Sequence, residues 1–220
     1  MASKIAGAIA GKNASTVGSA LEVQSLFQPL GAAWLHGIHV YVNDTSRWIS
    51  AHHFCSPLGE DMRQCLIFDS HEQGARLIGI EYLITEKIFS TLPESEKKLW
   101  HTHNYEVKSG ILAMPQPSIS PIPAAAWDVL EDAEMKELIK MYGKTYHLWQ
   151  VDKHDVPMGE PQLMSTYTKE DQVPSGLRTA LEKRDKELGI ITAEKKERRQ
   201  GIKKADTDKC DEVDQAWKKA

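Results

Sequence analysis

Two histidines and a glutamate lie close together in the segment spanning residues 99–110. His101 and His103 are one residue apart, and Glu106 follows three residues later. Side chains of a strand alternate between its two faces, so the two imidazoles point the same way if this segment is extended. They can then share a metal ion, and Glu106 would complete the site if a turn or bulge follows His103. Two polar residues on a half-exposed strand give the same pattern, so a structural role is the alternative.

Two further histidines lie in strand-like segments among apolar neighbours, His53 and His147. His147 shares a strand face with Trp149, so it is either a hydrogen-bonded core residue or an additional metal ligand, and the same choice holds for His53. His36 and His39 are three residues apart, which would place both on one side of a helix. The sequence leaves open whether this second pair joins the site or packs in the core.

Glu81 interrupts the strongest strand pattern of the chain, residues 75–84, which is rich in β-branched residues and almost continuously apolar. A carboxylate buried in such a segment must be paired, hydrogen-bonded or bound to a metal, because burying it alone is very costly. One explanation is an ion pair with an arginine such as Arg63. The other is a catalytic role in proton transfer, for which Tyr105 is the second candidate.

These side chains predict one divalent ion, iron or zinc, held by His101, His103 and Glu106 with His53 or His147 as a further ligand. Two histidines and one carboxylate leave coordination positions open, as in non-haem iron oxygenases, and zinc accepts the same donors. An ion with an open position can activate water or dioxygen. The first functional hypothesis is therefore a small-molecule metalloenzyme.

The elements expected to position these residues form an antiparallel sheet. Four segments have the pattern of strands, namely 48–55, 62–69, 75–84 and 144–152. Two long amphipathic helices, predicted at 19–42 and 124–142, would pack on one side of that sheet. This arrangement is an α+β fold. A cupin-like barrel is the alternative, and only the arrangement of His101, His103 and Glu106 suggests it.

The composition is that of a soluble globular protein, with 41% hydrophobic and 26% charged residues in a chain of 220. A formal net charge of −4 gives no general attraction to nucleic acid, and no apolar run is long enough to cross a bilayer. Three cysteines do not make a disulfide framework, so buried thiols are expected at Cys55 and Cys65. We expect a flexible arm at 1–18, one α+β domain at 19–168 and a charged tail, helical or partly disordered, at 169–220.

A resemblance to a known family is carried by five strings in the same order: HHFC (52–55), RQCLIFD (63–69), ARLIGIEY (75–82), LWHTHNYEVKSG (99–110) and YGKTYHLWQVD (142–152). They resemble the oil body-associated proteins of plants and their fungal and bacterial relatives, a domain of unknown function. The resemblance implies contact with lipid droplets and names no chemistry. Because this chain has no long hydrophobic hairpin, the contact would be peripheral, through the predicted helix around Phe27 and Trp34.

The second functional hypothesis is accordingly a non-catalytic protein of the lipid-droplet surface, or another binding protein, whose histidines only form hydrogen bonds in the core. The expected location is the cytoplasm, to which the resemblance adds the droplet surface. The partner is a small-molecule substrate under the first hypothesis and a lipid surface under the second, and neither hypothesis involves nucleic acid. A homodimer stays open, since nothing in the sequence decides the oligomeric state.

Overall fold

The computed structural model describes residues 33–205 together with Asp214. Within that part of the chain, strands are connected by short helices and loops. The strands are β1 (Ala33–Tyr41), β2 (Asp44–Pro57), β3 (Met62–Phe68), β4 (Leu77–Thr85), β5 (His101–Thr102), β6 (Met141–His147) and β7 (Gln162–Ser165). The helices are α1 (Glu86–Phe89), α2 (Glu94–Lys97), α3 (Asn104–Ser109), α4 (Ala124–Leu138), α5 (Ser175–Leu188) and α6 (Thr192–Arg198).

Six of the strands form a closed antiparallel barrel, because the two outermost strands also pair with each other. The order is β4–β3–β2–β1–β7–β6, and pairing of β6 with β4 closes the ring. The short strand β5 adds to β6 beyond the point where β7 ends. The predicted α+β fold, a sheet packed by two long helices, is therefore wrong, and the alternative of a barrel fits better.

The segment predicted as the first long helix, 19–42, is a strand wherever the structure describes it. Residues 33–41 form β1, which pairs with β2 along its length and with β7 at Val40 and Tyr41. Every residue from 35 to 41 is buried, so this strand lacks the alternation of a half-exposed strand and its apolar spacing imitates a helix. Residues 19–32 of the predicted helix, like the predicted flexible arm at 1–18, lie outside the described residues.

The second predicted helix, 124–142, ends earlier than expected. Helix α4 stops at Leu138, and strand β6 begins at Met141. Gly143, the residue after the predicted end of this helix, lies inside β6, where a Cβ atom would come within 2.5 Å of a Glu81 carboxylate oxygen. This glycine is therefore needed for the close approach of an interior carboxylate to the strand rather than for the end of a helix.

The two cysteines expected as free thiols form a disulfide instead. Cys55 on β2 lies directly opposite Cys65 on β3, and their sulfur atoms are bonded. This pairing was not predictable, because the two residues belong to no recognisable cysteine motif and become neighbours only through the register of the hairpin. The bond joins two adjacent strands at the inner face of the barrel.

The barrel interior contains a polar layer between two apolar clusters. Inward-facing residues on β1 run Leu35, Gly37, His39 and Tyr41, so the histidine lies between a leucine of one cluster and a tyrosine of the other. The first apolar cluster includes Leu35, Cys55, Cys65, Leu83, Leu112, Met135 and Leu138. The second consists of Tyr41, Ile49, Ala51, Ile67, Ile78 and Met164.

The charged C-terminal segment packs against the rest of the protein. Leu177 of α5 is fully buried in a third apolar cluster. Arg184 donates a hydrogen bond to the backbone oxygen of Ile111 (2.6 Å), and Arg199, also fully buried, pairs with Glu131 (2.9 Å). The division of the chain into arm, domain and tail stays a prediction. Among the described residues, no helix combines the length and the apolar character that crossing a membrane requires.

Candidate functional site

The polar layer is built by inward-facing residues of neighbouring strands. Strand register places Glu81 of β4 opposite Thr145 of β6, and Gly79 opposite His147. On the other side of the barrel, His53 of β2 faces inward, as His39 of β1 does, because both residues lie an even number of positions from inward-facing neighbours on their strands. Side chains from four strands therefore converge at one level of the barrel.

Strand β5 and helix α3 bring the His-x-His pair and its glutamate to the same level. β5 consists only of His101 and Thr102, and the chain turns into α3 directly after His103. This helix supplies the turn that the sequence required, and it places Glu106 Oε1 3.8 Å from His103 Nε2. All three predicted ligands of the motif are buried.

Glu81 is the carboxylate around which the histidines gather. Its Oε1 atom lies 3.5 Å from His101 Nε2 and 3.6 Å from His103 Nε2, and its Oε2 atom lies 3.4 Å from His53 Nε2. Thr145 donates a hydrogen bond to Oε1 at 2.9 Å. The arginine considered as a partner, Arg63, pairs with Glu134 instead.

A chain of three imidazoles continues the polar layer on the other side of Glu81. His53 Nε2 lies 2.9 Å from His39 Nε2, and His39 Nδ1 lies 2.9 Å from His147 Nε2. Three neutral imidazoles carry three ring protons, and each of the two hydrogen bonds uses one of them. The third proton therefore lies on the outer nitrogen at one end of the chain, where it has no partner. The Nδ1 atoms of both end residues, His53 and His147, are buried and make no hydrogen bond.

The carboxylates and imidazoles of this layer shift one another's pKa values. Burial lowers the pKa of His103, but the carboxylates of Glu81 and Glu106 outweigh it and raise the value to about 9. Burial raises the pKa of Glu81, yet the neighbouring imidazoles hold it well below its usual range. His147 lies farther from the carboxylates, and burial followed by the charge of His53 lowers its pKa to about 3.

The space inside the cluster is small. A cavity of about 10 Å³ is lined by His39, His53, Glu81, His103 and Glu106 together with apolar side chains and Cys55. Pockets that bind small molecules have volumes of roughly 300–1,000 Å³. A cavity of this size accommodates a single water molecule or ion and excludes an organic substrate.

The structure brings most of the predicted site residues together and leaves one of them, Tyr105, outside the cluster. His101, His103, Glu106, His53, His147 and Glu81 all meet in the interior. Tyr105 does not reach them, because its hydroxyl group donates to Glu170 (3.0 Å) at the protein surface. His39 joins the cluster, while His36 faces away and contacts Ser50. The assumption of a helix hid this difference, since residues three apart lie on opposite faces of a strand.

The fold and the cluster define a small antiparallel β-barrel protein with a buried histidine–carboxylate core. A family model described as "Protein of unknown function (DUF1264)" matches residues 27–203. The chain belongs to this family.

Relatives with curated names agree with that assignment. The chain is 44% identical to oil body-associated protein 1A of Zea mays over 79% of this chain and 69% of the relative. It is 42% identical to oil body-associated protein 1B of Arabidopsis thaliana over 72% and 64%, and 36% identical to protein 2A of Zea mays over 70% and 58%. This chain thus spans about 58–69% of these relatives' lengths. No solved structure matches it.

The predicted small-molecule metalloenzyme is wrong. Relatives similar over most of the chain are named for association with oil bodies, and the family model carries no known function. In addition, the cavity at the histidine cluster is too small for a substrate. The non-catalytic alternative, a protein associated with lipid droplets, agrees better with these findings.

Proposed function

We propose that this protein is a non-catalytic protein of the lipid-droplet surface, which it contacts peripherally. The observation that carries this proposal is the consistent naming of its relatives as oil body-associated proteins. Because this chain spans only part of those relatives' lengths, the role of the whole protein is itself a proposal. The proposal needs a part of the folded surface that can enter a lipid monolayer.

One end of the barrel offers such a surface. Three connections between strands lie there: residues 42–43, 69–76 and 148–161. Four aliphatic side chains at this end are about half exposed, namely Leu77 (45%), Leu148 (46%), Val156 (54%) and Met158 (48%). The backbone hydrogen bond from Leu148 to Ile78 (2.7 Å) holds the long third connection against the start of β4. We call these four side chains the apolar end.

Insertion of the apolar end into a monolayer would be favourable. Large exposed apolar patches mark contacts with proteins or membranes. Because these side chains are already about half buried, inserting one of them contributes about half of the 1.5–3 kcal/mol of full burial, roughly 1 kcal/mol. The contact expected from the sequence was a helix around Phe27 and Trp34. Phe27 lies outside the described residues, and Trp34, which belongs to β1, is less suitable. Its indole N–H donates to His52 (3.2 Å) and its ring stacks on His71, so this side chain is held against the barrel wall.

A flotation assay tests the proposal. Purified protein is mixed with triacylglycerol droplets coated with phosphatidylcholine, and the amount of protein in the floating layer is measured. We expect the wild type to float and the double variant Val156→Asp/Met158→Asp to bind at least about tenfold more weakly, because two charges replace two inserted side chains. The matched control is Val129→Asp, which changes an exposed valine (68%) on α4, and it should float like the wild type.

Each other outcome contradicts a defined part of the proposal. A wild-type protein that does not float would overturn droplet contact. Equal flotation of all three proteins would overturn the apolar end as the contact surface, and a similar loss in Val129→Asp would do the same. The proposal assigns no small-molecule substrate, and neither the comparisons nor the geometry supports a homodimer.

A further inference from the structure

We propose that the barrel interior binds one divalent metal ion through Glu81, His101 and His103. The ion has a structural role and performs no reaction. The site goes beyond the proposed droplet contact and does not depend on it, because the apolar end contains none of these residues. It differs from the ligand set expected from the sequence, in which Glu106 rather than Glu81 was the carboxylate.

The distances from the Glu81 carboxylate to His101 and His103 suit metal ligands better than hydrogen bonds, and the three donor atoms all lie within 4.8 Å of one another. Glu81 Oε1 lies 3.5 Å from His101 Nε2 and 3.6 Å from His103 Nε2. These separations exceed the usual N–H···O range of about 2.7–3.2 Å. A tetrahedral ion with bonds of about 2.0–2.1 Å holds neighbouring ligand atoms about 3.3–3.4 Å apart. Small side-chain shifts would therefore bring all three donors to one ion.

The hydrogen bond of His103 orients its free nitrogen toward Glu81. His103 Nδ1 lies 3.0 Å from the backbone oxygen of Met141, and a carbonyl oxygen only accepts, so Nδ1 carries the proton. In the neutral ring, the lone pair of Nε2 then faces the carboxylate, and this repulsion is relieved either by a proton on Nε2 or by a metal ion bound there. A histidine that donates its second ring nitrogen to a backbone carbonyl is the usual arrangement around a bound metal.

His101 adds an independent observation. It is 1% exposed, and its Nδ1 atom is buried without a hydrogen-bond partner. Its other ring nitrogen is directed at Glu81 but lies too far away for a normal hydrogen bond. A fully buried imidazole that makes no short hydrogen bond at either nitrogen would recover part of its desolvation cost by binding a metal ion through Nε2.

The charge balance of the interior also favours a cation. Glu81 and Glu106 are both buried. Within the part of the chain that the structure describes, no lysine or arginine is within ion-pair distance of either carboxylate. Uncompensated carboxylates are very costly in a protein interior. A divalent ion matches two negative charges, and the alternative is protonation of the surrounding imidazoles.

The donor set limits the kind of ion. Cys55 also lines the cavity, but its sulfur is in a disulfide and provides no thiolate. Two imidazoles and one carboxylate suit zinc or another first-row divalent ion, whereas calcium and magnesium prefer sites made of oxygen atoms alone. Such an ion would join β4, in the barrel wall, to the two-residue strand β5, which has only a short pairing with β6.

Metal analysis of matched variants tests the site. Each protein, produced without an affinity tag, is stripped with EDTA, incubated with zinc chloride, dialysed and analysed for zinc. We expect about one equivalent in the wild type and at least about 100-fold weaker binding in Glu81→Gln and His101→Ala. The control His52→Ala, which removes a histidine on the outer face of the barrel, should retain the ion.

A second measurement uses only the wild type, so it does not depend on whether the variants fold. Cobalt(II) substituted into the site should show visible absorption of a low-symmetry nitrogen–oxygen site, without a thiolate charge-transfer band, and zinc should displace it. A wild-type protein that binds neither zinc nor cobalt would overturn the proposal. Retention of zinc by Glu81→Gln, or its loss from His52→Ala, would overturn the ligand assignment. Glu81→Gln should still float on droplets, so the two proposals fail separately.

Discussion

Both the inner and the outer face of β1 and β2 carry buried histidines, but the two groups differ in their hydrogen-bond partners. On the outer face, His36 Nδ1 accepts from Arg184 (3.2 Å), and its Nε2 lies 2.8 Å from Ser50 Oγ. His52 Nδ1 accepts from the indole N–H of Trp34 (3.2 Å). Because arginine and tryptophan only donate, they fix these two rings as acceptors at Nδ1. The outer histidines have ordinary hydrogen-bond partners.

The inner histidines face carboxylates and one another instead. His101 and His53 each have a buried Nδ1 atom without a partner, and their Nε2 atoms are directed at Glu81. Buried histidines alone therefore do not indicate a metal site, since the outer group is equally buried and already satisfied. The groups around each ring nitrogen distinguish the two cases.

The largest effect is expected from filling the space beside Glu81. In Gly143→Ala, the new methyl group would lie 2.5 Å from Glu81 Oε1 and 2.9 Å from the His101 ring. Both side chains are buried, and Glu81 is held by the hydrogen bond from Thr145, so neither can move aside cheaply. Overpacking of this kind should lower the free energy of unfolding by about 3 kcal/mol, measured by urea denaturation with tryptophan fluorescence. Gly176→Ala on α5, where nothing lies within 4 Å, should be neutral or slightly stabilising. A Gly143→Ala protein as stable as the wild type would contradict the close packing of the inner layer.

The disulfide provides the next largest effect, also on the inner face. Cys55 and Cys65 are separated by ten residues, and a link of this length is expected to contribute about 2–3 kcal/mol by restricting the unfolded chain. The double variant Cys55→Ser/Cys65→Ser should lose about this much stability in urea. Reduction of the wild type should lower its melting temperature and leave that of the variant unchanged. An effect of reductant on both proteins would point to a different cause.

Most strands were predictable because their patterns are local. The segments around β2, β3 and β4 were expected within a few residues of their actual bounds. β1 was predicted wrongly because both of its faces are covered, so burial removed the alternation that identifies strands. Closure of the barrel was not predictable either, since it depends on pairing between β4 and β6, which are about sixty residues apart in sequence.

The candidate site was only partly visible in the sequence. The His-x-His pair and the anomalous Glu81 were recognisable, because a closely spaced histidine pair and a carboxylate in an apolar strand are unusual in themselves. The role of Glu81 as the shared neighbour of three histidines depends on strand register. His39 was obscured by the wrong secondary structure, and no local pattern could distinguish it from the outward-facing His36.

At pH 7 the smallest effect is expected on the outer face, where His52 should in addition make stability depend on pH. Burial, followed by the charge of His71, lowers the pKa of His52 to about 4, whereas an unfolded histidine has a pKa of about 6.5. Between these values the unfolded state binds a proton that the folded state does not, so the free energy of unfolding falls as the pH falls. His52→Phe removes this titrating group. Its free energy of unfolding should therefore decline less steeply between pH 6.5 and 4, by up to about 1.4 kcal/mol per pH unit.

At pH 7 the same variant should lose only about 1 kcal/mol, from the missing acceptor for Trp34. Trp34→Phe is the matched control, because it removes this hydrogen bond from the donor side and keeps the imidazole. Urea denaturation of the three proteins at several pH values should therefore give Trp34→Phe the steeper, wild-type dependence on pH. If His52→Phe shows the wild-type dependence as well, His52 takes up its proton equally in the folded and unfolded states. The outer face would then not keep its histidine neutral, and the contrast with the inner face would fail.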